Sequence, residues 1–375
     1  MRVAVVSLLA ILFGLLAGGV LMAATGHNPF EGYRYLFEGG LKNPERIGNT
    51  IATGTPLIFT GLAVAFAFRT GLFNIGVAGQ MLFGGLCATA VGLNLDAPRP
   101  ILLLVMIAAA FLGGALWAVV PGFLKAKYNV HEVVSSIMMN WIAYWTVYYA
   151  VPAYFKGTYL ETESQILPAA ATLRDPFISG LFGGSYINMG LYIAVLAVIV
   201  VAFIMNKTTI GYELKAVGFN RHTAEYAGIA VNRSIVLSMA ISGGLGGLGG
   251  MAQYAGNANN MQIGVLPSQG FDGIAVALLG ASAPIGVMLA AVFFGLLYSG
   301  KGFMSAMTEV PPEIADSIIA IIIYFAATSI LMERLVSWLI KRRKGQRSKP
   351  EEQQPAPPPG ETSGKKEGLY DVEHH

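Results

Sequence analysis

The chain has 375 residues, and only 12% of them are charged, about half of the roughly 25% that is typical of soluble domains. Its mean hydropathy is +0.59, and apolar blocks of about 20 residues recur along most of its length. The single cysteine, Cys87, excludes an internal disulfide and a cysteine-built metal site. A single soluble core could not bury so much apolar surface, so the sequence predicts an all-α polytopic membrane protein.

The hydropathy pattern predicts about ten membrane-spanning helices. The N-terminal segment MRVAVVSLLAILFGLLAGG exceeds the about 7–15 apolar residues of a signal peptide, so we interpret it as a retained first span. The eighth and ninth spans are short and are separated by LLGASAPIG, which favours a hairpin of two half-helices. The predicted spans are 3–24, 50–68, 76–93, 101–121, 133–154, 188–206, 234–256, 271–284, 285–300 and 314–335.

The orientation of the spans is predicted from Lys and Arg, which are enriched in cytoplasmic loops. The cluster KRRK (341–344) directly follows the last predicted span and favours a cytoplasmic location for both termini. Residues 1–337 are therefore predicted to form a transmembrane domain. Residues 338–375 are predicted to be a basic and then disordered cytoplasmic tail, because a segment rich in Pro, Glu, Gln and Lys cannot form a core. The layout would also suit an inverted repeat, although the two halves show no sequence match.

The segment AFRTGLFNIGVAGQ (67–80) joins the second and third predicted spans and mixes glycines with polar side chains. Gly71 and Gly76 interrupt the helical pattern, and the amides of Asn74 and Gln80 supply both donors and acceptors. Irregular backbone near a membrane needs protein or a water-filled cavity to satisfy its polar groups. Two interpretations follow: a break in a helix that lines a pore, or a cytoplasmic hairpin turn held by structural hydrogen bonds.

Polar residues recur every four positions in NVHEVVSSIMMNWIAYW (129–145), at the start of the fifth predicted span. Glu132, Ser136 and Asn140 therefore share one helix face, and ionisable or amide groups within a span are functional candidates. The alternative for Glu132 is a position at the cytoplasmic interface, beside one of the two lysines that precede this segment. Asn140 is expected to have a buried polar role.

The segment SGGLGGLGG (242–250) contains a G-x-G-x-x-G match, but no strand–helix context supports a nucleotide site. The pairs Gly243/Gly247 and Gly246/Gly250 have G-x-x-x-G spacing, which lets membrane helices approach closely. We therefore predict tight helix packing here. The sequence also lacks a G-x-x-x-x-G-K-[ST] phosphate loop and any histidine-based metal-ligand spacing, so no metal site is predicted.

A polar loop, ELKAVGFNRHTAEYAGIAVNR (213–233), is predicted on the cytoplasmic side. Asn220 can N-cap a short helix, and Gly228 fits the C′ position of that helix. Ala224 and Ala227 lie three residues apart between them and would share a small face. A capped helix with such a face is typical of a docking element, and a solvated loop is the alternative.

Taken together, these segments resemble the permease subunits of bacterial ABC importers for nucleosides and simple sugars, the ribose-permease-like group. GLAVAFAFRTGLFNIGVAGQ is the most specific match, and EVVSSIMMNW and AVGFNRHTAEYAGI are in register with it. The similarity covers about residues 1–335. The resemblance implies the ABC importer permease fold, and it implies that Asn74 and Gln80 lie near a translocation path. It also implies ATPase coupling around Gly218, although ELKAVG lacks the E-A-A triplet of such loops.

The resemblance further implies a second permease subunit, a cytoplasmic ATPase subunit and an extracytoplasmic substrate-binding lipoprotein as partners. We therefore predict a non-enzymatic permease subunit in a bacterial cell membrane, in contact with the lipid bilayer, without a cofactor or a nucleic-acid partner. Nucleosides are the first predicted small-molecule substrate, and a pentose or another simple sugar is the second. An ion-coupled secondary transporter is the alternative class, and it would need a titratable site at Glu132, Asp272 or Asp316.

Two sets of residues are assigned on this basis. The predicted translocation path contains Asn74, Gln80, Glu132, Ser136 and Asn140. The predicted ATPase-coupling element contains Gly218, Asn220, Ala224, Ala227 and Gly228.

Overall fold

The computed structural model describes residues 2–158 and 160–328, and these residues are predominantly α-helical. The helices are α1 (Arg2–Ala24), α2 (Pro29–Leu41), α3 (Pro44–Arg69), α4 (Val77–Asn94), α5 (Arg99–Tyr128), α6 (Glu132–Tyr154), α7 (Pro176–Leu181), α8 (Gly190–Lys207), α9 (Thr209–Phe219), α10 (Arg221–Tyr226), α11 (Val231–Met251), α12 (Gln269–Leu279), α13 (Pro284–Thr308) and α14 (Pro312–Ala327). A 3₁₀ turn (Ala169–Ala171) precedes α7, and a π-helical segment (Ala252–Asn257) extends α11. Within the described ranges, extended backbone pairs only as isolated bridges.

The helix lengths confirm the all-α polytopic class but not the count of about ten spans. Among the described residues, seven helices are long and apolar enough to cross a membrane: α1, α3, α4, α5, α8, α11 with its π-helical segment, and α13. The 23-residue α6 and the 16-residue α14 are not among them. The predicted inverted repeat is not tested by these helix lengths and stays a prediction.

The predicted hairpin of two half-helices is wrong in its second half. α12 is short, with 11 residues, but α13 has 25 residues and continues to Thr308. Ala281 and Ser282 form the turn between them with φ of 51° and 52°, in the left-handed region.

α2 is absent from the predicted spans because its charged residues interrupt the apolar pattern.

α3 and α11 form the centre of the molecule. α3 packs against α11, α12 and α13, and α11 packs against α3, α4 and α5. Gly243 and Gly247 of α11 face α5 so closely that a Cβ on either would overlap a backbone carbonyl of that helix. Gly250 meets a backbone carbonyl of α4 in the same way, and Gly246 lies against the Gln80 side chain. These glycines therefore allow α11 to approach two helices at once.

The two ends of α11 lie in different surroundings. At its start, α9 and α10 lie beside the connection between α3 and α4, and the Arg69 guanidinium donates to the Ser282 carbonyl at 3.3 Å. At its other end, the 155–189 segment covers the π-helical segment, for example through the Leu173 N–H to Ala255 carbonyl hydrogen bond of 2.8 Å. The predicted tail, the KRRK cluster and residues 329–337 lie outside the described residues, and the cytoplasmic location of both termini stays a prediction.

Candidate functional site

The α3–α4 connection, residues 70–76, is held by a closed set of hydrogen bonds around Asn74. The Asn74 Nδ2 group donates to Gln80 Oε1 at 3.0 Å and to the Ser242 hydroxyl at 2.8 Å. Asn74 Oδ1 accepts from the Gly76 backbone N–H at 3.0 Å and from Gln80 Nε2 at 3.1 Å. Asn74 and Gln80 are 0% and 1% exposed. All four hydrogen-bonding positions of the Asn74 amide are therefore occupied by groups of the protein itself.

Two serines of α11 connect this segment to the surrounding helices. The Ser242 hydroxyl donates to the Ala63 carbonyl of α3 at 2.6 Å while it accepts from Asn74, and the Ser238 hydroxyl donates to Thr70 Oγ1 at 2.8 Å. Both serines are buried. Neither serine is among the predicted site residues, although their four-residue spacing places them on one helix face and is the sequence signal that identifies them.

α6 is joined to the same segment through Asn140. Asn140 Oδ1 accepts from the Gly79 N–H in the first turn of α4 at 2.8 Å, and its Nδ2 group donates to the Ile75 carbonyl at 3.0 Å. N–H groups in a first turn have no partner within their own helix, so Asn140 caps α4 from another helix. Gly79 is required for this approach because a Cβ there would lie 2.9 Å from the Asn140 Cα.

Glu132 and Ser136 lie on the same buried face of α6 as Asn140. The Glu132 carboxylate forms an ion pair with Lys125 at 3.0 Å, and the two side chains are 11% and 12% exposed. Glu132 therefore occupies the second of its two predicted positions, beside one of the lysines that precede it, rather than standing unpaired within a span. Ser136 is fully buried, and its hydroxyl has no hydrogen-bond partner among the described residues.

The five residues assigned to the translocation path are thus inside one subunit, and all five are buried. The face of α6 that carries three of them packs against α4 and α5. Because Asn74 uses its amide internally, it has no unused donor or acceptor for a substrate in this arrangement. The geometry therefore supports the alternative interpretation of segment 67–80, a connection held by structural hydrogen bonds. A direct role of these residues in the path stays a prediction.

The loop between α8 and α11 contains both predicted caps of α10. Asn220 Oδ1 accepts from the Thr223 N–H at 3.0 Å, and Gly228 follows the helix with φ of 82°. The predicted shared face of Ala224 and Ala227 is wrong. Ala224 is 3% exposed and packs in an apolar cluster inside the molecule, whereas Ala227 is exposed. α10 ends at Tyr226, so Ala227 lies beyond the last helical residue and points elsewhere.

Gly218, near the end of α9, packs directly on the α3–α4 connection. A Cβ at Gly218 would overlap the Arg69 carbonyl, and a Cβ at Gly71, which has φ of 72°, would lie 3.3 Å from the Gly218 backbone. α9 therefore contacts the segment that the amide hydrogen bonds hold. Phe219 and Tyr226 are 93% and 95% exposed, so two large rings of this loop point away from the molecule.

The outward face of α6 is aromatic in its second half, with Trp141, Trp145, Tyr148 and Tyr149 between 45% and 68% exposed, whereas the first half exposes Val134 and Met138. Indole N–H and phenol O–H groups need hydrogen-bond partners when they are buried, and hydrocarbon cannot supply them. The outward face of α5 is aliphatic instead. Its exposed residues include Leu104, Leu112, Leu116 and Val120. The two neighbouring helices therefore suit different surroundings, lipid for α5 and a partly polar surface for α6.

Two of the three acidic residues that an ion-coupled transporter would need form ion pairs in the protein. Glu132 pairs with Lys125, and Asp316 pairs with Lys301 at 2.8 Å. Asp272 differs, because its Oδ2 atom is buried without a hydrogen-bond partner among the described residues. Within the described residues, no group of three or more His, Cys, Asp or Glu side chains could hold a metal ion.

This chain is a polytopic helical membrane protein. It has long apolar helices, a centre in which glycines allow close helix packing, and a folded helical loop at one end. Residues 46–327 match the family model described as the branched-chain amino acid transport system / permease component, and the chain belongs to this family. No solved structure matches the chain.

Three curated proteins are similar over most of their length. The guanosine ABC transporter permease protein NupP of Bacillus subtilis (strain 168) is 42% identical over 338 residues, which are 90% of this chain and 97% of that protein. The nucleoside ABC transporter permease protein NupB of Lactococcus lactis subsp. cremoris (strain MG1363) is 37% identical over 340 residues, 88% and 93% of the two chains. The glucose ABC transporter permease protein TsgB13 of Haloferax volcanii is 32% identical over 345 residues, 90% of each chain.

These comparisons confirm the resemblance that the sequence motifs indicate. The chain is a permease subunit of an ABC importer and a multi-pass membrane protein.

Proposed function

We propose that this chain forms one wall of a nucleoside translocation path and that a separate ATPase subunit drives transport. The observation that carries the proposal is the similarity to the guanosine permease, which extends over 97% of that protein at 42% identity. A second candidate substrate, a simple sugar, is favoured by the glucose permease, but the identity there is lower, at 32%. Nucleosides are therefore the substrate class that we propose first.

The outward aromatic face of α6 supports a nucleoside as the substrate. Base–aromatic stacking contributes about 1–3 kcal/mol per base, and Trp N–H and Tyr O–H groups can also hydrogen-bond a ribose or a base. The aliphatic face of α5 suits lipid, so the face of α6 is the surface that we assign to a second permease subunit. The translocation path then lies between the two subunits, lined on this side by Trp145 and Tyr148.

Coupling to the ATPase is assigned to the end of the molecule that carries α9 and α10, on the cytoplasmic side. Phe219 and Tyr226 are exposed aromatic side chains of the kind that anchor protein interfaces. A displacement of α9 would reach the α3–α4 connection through Gly218 and then α6 through Asn140. The opposite end, covered by the 155–189 segment, is the surface that we assign to the substrate-binding lipoprotein.

Uptake of radiolabelled guanosine into proteoliposomes tests this function. The chain is reconstituted with its second permease, its ATPase and its binding protein, and ATP is enclosed on the ATPase side. We expect ATP-dependent uptake that unlabelled nucleosides inhibit and that glucose and ribose do not inhibit. If a sugar inhibits uptake and unlabelled nucleosides do not, the substrate is a sugar rather than a nucleoside. Guanosine uptake by this chain without partners, driven by a sodium or proton gradient, would overturn the ABC mechanism.

A further inference from the structure

An open groove of about 590 Å³ lies between the end of α5 and the start of α11. It is at the same end of the molecule as α10, which precedes α11 by a short connection. Phe123, Val236 and Ala240 form part of its apolar wall, and Lys127 and Arg233 lie at the helix ends beside it. The groove thus combines an apolar cleft with two cations at one edge.

The two cations have no carboxylate partner among the described residues. The Lys127 ammonium lies 5.5 Å and 5.4 Å from the ring centres of Phe123 and Tyr128, so it contacts aromatic rings rather than a carboxylate. Lys125, by contrast, is neutralised by Glu132 at 3.0 Å. The edge of the groove therefore keeps a positive charge of two that an anion can complement.

The wall of the groove is continuous with the surface that suits lipid. Leu112, Leu116 and Val120 are exposed along α5, and Phe123 follows them one turn later in the groove itself. Lys and Arg at the ends of membrane helices lie at the level of the lipid headgroups. Basic pockets between membrane helices on the cytoplasmic side bind anionic headgroups. A protein partner would need to cover the aliphatic face of α5 as well.

We propose that this groove binds an anionic phospholipid. The phosphate lies between Lys127 and Arg233, where the Asn232 amide adds a hydrogen-bond donor, and one acyl chain lies along Val236 and Ala240. The site is separate from the aromatic face of α6 and does not depend on the identity of the transported substrate.

Native mass spectrometry of the full chain released from nanodiscs tests the proposal. The nanodiscs contain equal amounts of phosphatidylglycerol and phosphatidylcholine. We expect the wild-type chain to retain phosphatidylglycerol about tenfold over phosphatidylcholine. The double variant Lys127→Gln/Arg233→Gln should retain the two lipids equally. The matched control, Lys207→Gln/Arg221→Gln, removes two positive charges at the same end outside the groove and should keep the preference for phosphatidylglycerol.

Two further variants separate binding from folding. Lys127→Arg/Arg233→Lys preserves the charge and should retain the lipid, whereas Ala240→Trp fills the groove with both cations intact and should lose it. The proposal is overturned if the wild-type chain retains both lipids equally, if the control pair loses as much lipid as the groove pair, or if Ala240→Trp retains the wild-type amount. Competition by soluble glycerol phosphate at the same concentration as the phospholipid would also overturn it, because the acyl chain would then contribute nothing.

Discussion

At the scale of single residues, one amide holds the irregular connection between α3 and α4. Asn74 bonds to groups that lie two, six and 168 positions away in the sequence, in Gly76, Gln80 and Ser242. Each buried polar group that loses its partner lowers the free energy of unfolding by about 1–3 kcal/mol. Because Asn74 is the partner of several such groups, replacing it adds these losses together. The connection therefore depends on a side chain rather than on regular backbone hydrogen bonding.

Asn74→Leu should lower the stability of the purified protein by at least about 2 kcal/mol, because it leaves the Gly76 N–H and the Gln80 amide without a partner and removes the hydrogen bond that Ser242 accepts. The apparent melting temperature in detergent, followed by tryptophan fluorescence, measures the effect. Asn94→Leu is the control, since that exposed amide donates only to the Ala90 carbonyl at 2.8 Å and should tolerate replacement. Equal melting temperatures for Asn74→Leu and the wild-type protein would show that the amide hydrogen bonds contribute little.

At the scale of helices, the contact between α11 and α5 is set by the absence of a side chain. Gly247→Ala should lower the melting temperature and the yield of folded protein, because the added methyl group overlaps the Ala110 carbonyl and separates the two helices. Gly302→Ala in α13 is the matched control, since its Cβ would meet nothing within 4 Å and alanine favours the helix. If both variants melted alike, close backbone contact would not be what stabilises this pair.

A second prediction at the scale of helices concerns the role of α9 and α10 in docking the ATPase. Phe219→Ala/Tyr226→Ala should leave folding unchanged, because both rings are exposed, but should abolish co-purification of the ATPase and substrate-stimulated ATP hydrolysis. Phe177→Ala, a ring 72% exposed on α7 near the other end, should have no effect. Ala224→Arg, in contrast, should reduce folded protein, because Ala224 is buried. Full ATPase coupling in Phe219→Ala/Tyr226→Ala would exclude these rings from the docking surface.

At the scale of the whole molecule, the outer surface includes an aliphatic face on α5 and exposed aromatic side chains on the neighbouring α6. A photo-reactive phenylalanine analogue at Tyr149 should cross-link this chain to the second permease in the assembled importer. The same analogue at Leu116 should react with lipid alone. The two positions are 68% and 67% exposed, so accessibility does not distinguish them. Cross-linking at Leu116 and not at Tyr149 would reverse the assignment of the two faces.

The amino-acid sequence by itself determined the features that depend on local pattern. Hydropathy and length predict the class and most of the long helices, and the caps at Asn220 and Gly228 follow from side-chain and backbone preferences of single residues. The tertiary structure decided which way each face points. Four-residue spacing places Glu132, Ser136 and Asn140 on one face, but only packing shows that this face lies against α4 and α5. The partners of Asn74 and the burial of Ala224 come from helices far along the chain, and no local pattern records such contacts because the free energy of burial depends on the assembled neighbours.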